Sequence, residues 1–137
     1  MDRVKRRLDV AVRALDTLRE LAFLQNPSEV QRDSAIQRFE YSVEASWKAA
    51  QAYLSVVEGL EEGSPKSCIR ACRQVGLLDD VEATLGLEMV DDRNATVHTY
   101  SRALAEKIFS RLSAYSDLLA AWLRRMGESL SGKGPDG

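Results

Sequence analysis

Three residues whose side chains can handle a phosphate stand close together in the stretch DDRNATVHTY (91–100): Arg93, His98 and Tyr100, with Asn94 directly after the arginine. His98 is the one histidine of the chain. These residue types suit RNA cleavage by internal transesterification. That reaction needs a group to take the 2′-hydroxyl proton or to protonate the leaving 5′-oxygen. It also needs positive charge where the phosphorane oxygens gain negative charge. An imidazole titrating near neutrality serves the first need, and a guanidinium with forked donors serves the second. Neither role requires a metal.

The spacing sets a geometric condition. On an ideal helix Arg93 and His98 point about 140° apart, while Arg93 and Tyr100 nearly eclipse. Asn94 falls on the side of His98 through its i, i+4 spacing. Arg93 and His98 therefore reach one phosphate only if the helix loosens near Thr96–Thr99 or if a second subunit completes the site. Thr96, Val97 and Thr99 are β-branched and poor helix formers, which favours loosening. A plain structural arrangement fits the same residues: Arg93 paired with Asp92 or a neighbouring helix, and His98 at a helix C-terminus. Glu40, Glu44 and Lys48 form a second polar stripe at i, i+4 spacing. They read as a solvated edge with a weak ion pair, or as the border of a cleft or dimer seam.

Other chemistry lacks its residues. Beyond His98 the chain has two cysteines, Cys68 and Cys72, too few ligands for a transition-metal site. Successive helical turns hold such a pair badly for a disulfide, so both are expected as buried thiols. GKGPDG (132–137) matches the spacing of a dinucleotide-binding loop, but no strand precedes it and no helix follows. No metal and no cofactor is expected. The net charge of −2 and pI near 5.5 mean that a nucleic-acid contact would have to use a local basic patch. The longest strongly apolar run, LLAAWL (118–123), is far too short to span a bilayer. The N-terminus lacks the apolar core of a signal peptide, which leaves cytoplasmic residence as the expectation.

The elements that must position these residues are helical throughout. At 137 residues, 45% hydrophobic and 29% charged, the chain suits one soluble domain with a real core. Val4, Leu8, Ala11, Leu15, Leu18 and Ala22 form one apolar stripe. Pro27 breaks it, and Ser28 with Gln31 forms a capping box for a second long helix carrying Ile36, Phe39, Val43, Trp47, Ala50, Leu54 and Val57. Gly59 and Gly63 close that helix. Ser64–Pro65 opens a short one that ends near Gly76. Asp79 or Asp80 caps a fourth helix running through roughly DDRNATVHTY. A last helix carries Leu104, Ile108, Leu112, Tyr115, Leu119 and Trp122. The expectation is all-α: an up-and-down bundle of about five helices over 1–128, with a flexible tail at 129–137. Heptad-like rhythm in several helices also fits a homodimer.

Three stretches, QRFEYSVEASWKAAQAYL (37–54), SPKSCIRACRQVGLLDD (64–80) and DDRNATVHTY, together resemble HEPN-domain proteins. They resemble in particular the nucleotidyltransferase substrate-binding group found beside minimal nucleotidyltransferases (MNT). The pattern R-x4-H-x-Y is intact as Arg93, His98 and Tyr100, with Asn94 as the polar residue after the arginine. The resemblance covers nearly the whole chain apart from the tail. It implies a homodimer whose two Arg–His motifs meet in a cleft at the interface, which would answer the 140° separation. It further implies a metal-independent endoribonuclease toxin neutralised when the partner nucleotidyltransferase transfers AMP to Tyr100. His98 would act as general acid/base, Arg93 would stabilise the phosphorane, and Asn94 would orient the substrate or His98. The group's older name implies the alternative, a non-catalytic subunit that presents substrate to the nucleotidyltransferase. There Arg93 and His98 would bind a nucleotide or phosphate without turning it over.

Overall fold

Apolar residues at steps of three and four fold the first stripe into α1 (Asp2–Arg19), where Val4, Leu8, Ala11, Leu15 and Leu18 are all buried. The structure, a computed structural model, describes residues 1–132. Ala22 stays packed in the core although α1 ends at Arg19. The Ser28 hydroxyl accepts from the backbone N–H of Gln31, and the Gln31 side chain accepts from that of Ser28. This reciprocal cap starts α2 (Glu29–Tyr53). A π-helical turn, Leu54–Glu58, widens its end and closes on Gly59. The φ of +67° at Gly59 lies in the left-handed region that a side chain resists.

Ser64 caps α3 (Pro65–Gln74), with Pro65 in the first helical position as expected. Asp79 and Glu82 cap each other at the start of α4 (Asp80–His98). Gly86 lies inside α4 with no strain of its own. A Cβ there would stand 3.3 Å from Ile69 Cδ1, so the missing side chain lets α3 and α4 approach closely. Ser101 caps α5 (Arg102–Phe109), and α6 (Leu112–Leu130) completes the chain's described helices.

The fold is all-α, and among the described residues there is no strand. The expected count of about five helices becomes six α-helices and the π turn. The difference lies at Ser110–Arg111, where the anticipated last helix breaks into α5 and α6. Arg111 N–H reaches back to Ile108 O at 2.9 Å, a tightened turn. The tail expected at 129–137 begins inside α6, and from residue 133 onward that segment, including most of GKGPDG, lies outside the described residues.

α1 packs along α2 and meets α6, while α4 lies against α2, α3 and α6. Trp122, Tyr53, Tyr115 and Phe39 are the largest fully buried side chains, and side chains of this kind contribute roughly 1.5–3 kcal/mol each on burial. Phe39 of α2 and Tyr115 of α6 stack with ring centroids 5.6 Å apart. Cys68 and Cys72 are free and buried. Burial pushes their thiols up, to about 11 and about 12. The helix termini fix where the polar residues of α4 emerge: Arg93 toward α2, and His98 at the helix end.

Candidate functional site

α4 is tied down on two sides. Asp92 accepts from Arg111 Nη1 at 2.8 Å and from the Tyr115 hydroxyl, so the helix is strapped to α6. Hydrogen bonding to Asp92, its charge and the neighbouring Tyr115 together raise the Arg111 guanidinium above its ordinary value despite some desolvation. Burial, with the Asp92 bond and charge behind it, raises Tyr115 well above the usual phenol range. Asp92 is thus committed to α6, and of the two partners expected for Arg93, Asp92 or a neighbouring helix, the structure gives the neighbouring helix.

One residue on, Arg93 faces α2. Its Nη2 donates to Glu44 Oε2 at 2.9 Å, and its Nη1 lies 3.3 Å from Asn94 Oδ1. Trp47 Nε1 donates to the same Glu44 oxygen at 2.9 Å, and Lys48 Nζ pairs with the other at 3.1 Å. Partial burial pushes the Glu44 carboxyl up. The bonds from Trp47 and Lys48 and the charges of Arg93 and Lys48 outweigh it, leaving Glu44 below its ordinary value. Arg93 Nε is buried with no partner among the described residues. The Thr96 hydroxyl lies 2.9 Å from Glu40 Oε2 and 2.8 Å from Arg93 O, which fixes Glu40 on the same seam.

Beside this cluster a cleft of ≈ 480 Å³ is lined by Glu44, Trp47, Ser64, Pro65, Lys66, Val90, Arg93 and Asn94. Lys66 Nζ pairs with Asp91 Oδ1 at 2.6 Å. Two cations, an amide and an indole edge therefore surround an open space that suits an anion with an attached planar group.

The structure brings together Arg93, Asn94, Glu40, Glu44 and Lys48. It does not bring His98 or Tyr100 to them. α4 remains helical through His98, and Thr99 N–H still reaches Ala95 O at 3.0 Å. The loosening anticipated near Thr96–Thr99 is absent up to that last bond, because i→i−4 bonding and the Thr96–Glu40 contact hold the last turns. His98 is exposed at the helix end and does not line the Arg93 cleft. Thr99 turns extended, at φ −142° and ψ 127°. The helical register therefore ends before Tyr100, and the expected near-eclipse with Arg93 is lost. Tyr100 is 68% exposed, and its hydroxyl lies 3.2 Å from both carboxylate oxygens of Asp33 on α2.

Trp47, Lys66 and Asp33 are contributors that sequence reasoning did not single out, and the role of Asp92 as a strap to Arg111 and Tyr115 was not anticipated. Trp47 reads first as an apolar stripe residue, and its indole N–H carries no signal in a spacing pattern. Among the described residues, no three His, Cys, Asp or Glu side chains cluster in a way that could hold a metal ion. No described helix is long and apolar enough to cross a membrane.

A family model described as "Nucleotidyltransferase substrate binding protein like" matches residues 6–128. No curated protein matches the chain in sequence. A crystal structure of a Thermus thermophilus protein shares 60% identity, covering 85% of this chain and 98% of that one, with a TM-score of 0.83. The Shewanella oneidensis HEPN toxin, solved tri-AMPylated and in complex with MNT antitoxin, shares 14% identity. It covers 94% of this chain and 98% of its own, with a TM-score of 0.75. A mutant of the MntA–HpeT toxin–antitoxin pair shares 15% identity, with coverages of 94% and 99% and a TM-score of 0.75. At these identities the last two likenesses are likenesses of fold.

Proposed function

The chain belongs to the nucleotidyltransferase substrate-binding-protein-like family, and from that premise we propose that it is a metal-independent endoribonuclease. In this reading it works as a homodimer and is silenced by AMP transfer from a partner minimal nucleotidyltransferase. The observation that carries the proposal is the division of the motif. Arg93 and Asn94 line a cleft against α2, while His98 stands exposed at the helix end, its imidazole without a hydrogen-bond partner among the described residues. With α4 helical through His98 the two point apart within one chain; across a two-fold axis the exposed His98 of one subunit can complete the Arg93 cleft of another.

In that arrangement His98 accepts the 2′-hydroxyl proton as the 2′-oxygen bonds to phosphorus. The bond from phosphorus to the 5′-oxygen breaks, and that oxygen leaves with a proton returned by an imidazolium. Arg93 stabilises the charge gathering on the non-bridging oxygens, and Glu44 holds its guanidinium in register. Asn94 orients the substrate. Tyr100 is the AMP acceptor: its exposed phenol is reachable, and Asp33 lies within hydrogen-bond distance to draw on its proton. A phosphodiester there would add negative charge two residues from His98.

Purified chain, free of nucleotidyltransferase and held in chelator, is expected to cut single-stranded RNA and leave 2′,3′-cyclic phosphate ends. His98→Ala is expected to lower the rate by about a hundredfold or more. Incubation with the partner nucleotidyltransferase and ATP is expected to place AMP on Tyr100, located by mass spectrometry. Equal inertness of wild type and His98→Ala overturns the ribonuclease. The second reading, a non-catalytic subunit presenting a nucleotide to the nucleotidyltransferase, is favoured by the Glu44–Arg93 bond, which leaves the guanidinium occupied in the single chain. It predicts nucleotide binding in the cleft with no RNA cleavage.

A further inference from the structure

The first seven residues, MDRVKRR, hold four cations and one acid in a chain whose net charge is −2. Arg3, Arg6 and Arg7 are exposed, and none of them pairs with a carboxylate among the described residues. They line one side of a groove of ≈ 610 Å³ whose other side is Tyr41, Glu44, Ala45 and Lys48 of α2, with Val10 also contributing. Folding does not ask for this placement. Arginines three and four apart on one helix repel each other, and cations in the first two turns face the positive end of the helix dipole.

What the groove exposes besides charge is apolar. Val10 is 60% exposed and Tyr41 59%. Its one lining carboxylate, Glu44, is already matched by Lys48 and Arg93. Glu44 also lines the Arg93 cleft, so the groove and the cleft share a wall. Basic side chains along a channel with an open aromatic ring in it are the arrangement by which proteins hold single-stranded nucleic acid without reading its sequence.

We propose that the groove between the first half of α1 and the middle of α2 is the track on which single-stranded RNA lies as it enters the Arg93 cleft. Arg3, Arg6, Arg7 and Lys48 bind successive phosphates, and Tyr41 stacks on a base. This rests on the ribonuclease reading for its substrate and goes beyond it by placing the strand outside the Arg–His motif. It also resolves the conflict between an acidic protein and a polyanionic substrate, because the required positive charge is local.

Binding is measured by fluorescence anisotropy of a labelled RNA oligonucleotide, in a full-length His98→Ala background so that the RNA survives. Four phosphate contacts give a slope of log affinity against log salt of about −2.8, and removal of three reduces it to about −0.7. Arg3→Gln/Arg6→Gln/Arg7→Gln is expected to weaken binding by at least about tenfold with that shallower slope. The matching triple lysine variant is expected to stay within about threefold of its parent, since a point charge suffices for phosphate. Helical circular dichroism shows that both variants fold; these exposed positions carry no core packing.

An unchanged affinity and slope in the glutamine variant overturns the proposal, as does absence of RNA binding by the parent. Polyglutamate of equal charge binding as tightly as RNA also overturns it, in favour of an acidic protein segment as the occupant. RNA binding through the groove without cleavage by wild type sinks the ribonuclease and keeps the track. Cleavage with groove-independent binding does the reverse.

Discussion

Glu44 touches more of the site than any motif residue does. One of its oxygens accepts from both Arg93 and Trp47, and the other pairs with Lys48. Its carboxyl is held below its ordinary value, because these donors outweigh the opposing effect of burial. A carboxyl with a depressed folded value contributes stability above its unfolded value and loses it as pH falls through the folded one. Glu44→Gln is therefore expected to lower Tm near neutrality, where the charged form's contribution is fully present, and to flatten the acid side below the ordinary glutamate range, so that the two curves converge there. The same substitution removes negative charge beside the cleft while leaving an acceptor for Arg93. Phosphate or AMP binding, followed by titration calorimetry, is expected to tighten by roughly three- to tenfold, about 1 kcal/mol of relieved repulsion. Weaker binding in the variant would mean that Glu44 serves mainly to aim the guanidinium.

α4 delivers Arg93 correctly only if its rotation is fixed, and that is the work of Asp92 on the adjoining face. Asp92→Ala leaves Arg111 and the Tyr115 hydroxyl without their shared acceptor. The expected cost is about 2 kcal/mol, a fall in Tm of about 7 °C for a chain of this length. A fall under about 2 °C would show that α4 is held by apolar packing alone. Three helix starts were legible in the sequence because a cap is a local device: Ser28 with Gln31, Ser64 with Pro65, and an aspartate at 79 or 80, of which the structure selects Asp79. The break between α5 and α6 was not legible. Ser110 and Arg111 include neither Gly nor Pro, and both keep right-handed backbone angles. The apolar rhythm Ile108, Leu112, Tyr115 therefore runs across the break unaltered. The Glu44–Arg93 pair joins residues 49 apart, a contact that no spacing rule reaches. Glu44 and Arg93 were each visible as polar residues of interest; their meeting belongs to the fold.

For the molecule as a whole, the regular end of α4 makes the number of chains in the site the decisive matter. Five residues along a helix separate Arg93 from His98 by about 7.5 Å in height as well as about 140° in direction. The helical hydrogen bonding maintained to Thr99 removes the intramolecular way of closing that gap. If each active centre takes Arg93 from one subunit and His98 from another, Arg93→Ala and His98→Ala are both inactive alone yet repair each other. A heterodimer of the two carries one centre lacking both groups and one possessing both. Random reassortment makes about half the dimers mixed, each with one good centre of two, so an equimolar mixture is expected to regain about a quarter of wild-type activity. The mixture is prepared by unfolding and refolding the variants together, and RNA cleavage is compared with each variant refolded alone. Recovery should vanish when one member of the pair is the Arg93→Ala/His98→Ala double variant, because no centre then holds both groups. A mixture as inactive as its parents would place both groups in one chain. That result requires α4 to unwind on meeting RNA, which amide exchange at Thr96–Thr99 would register directly.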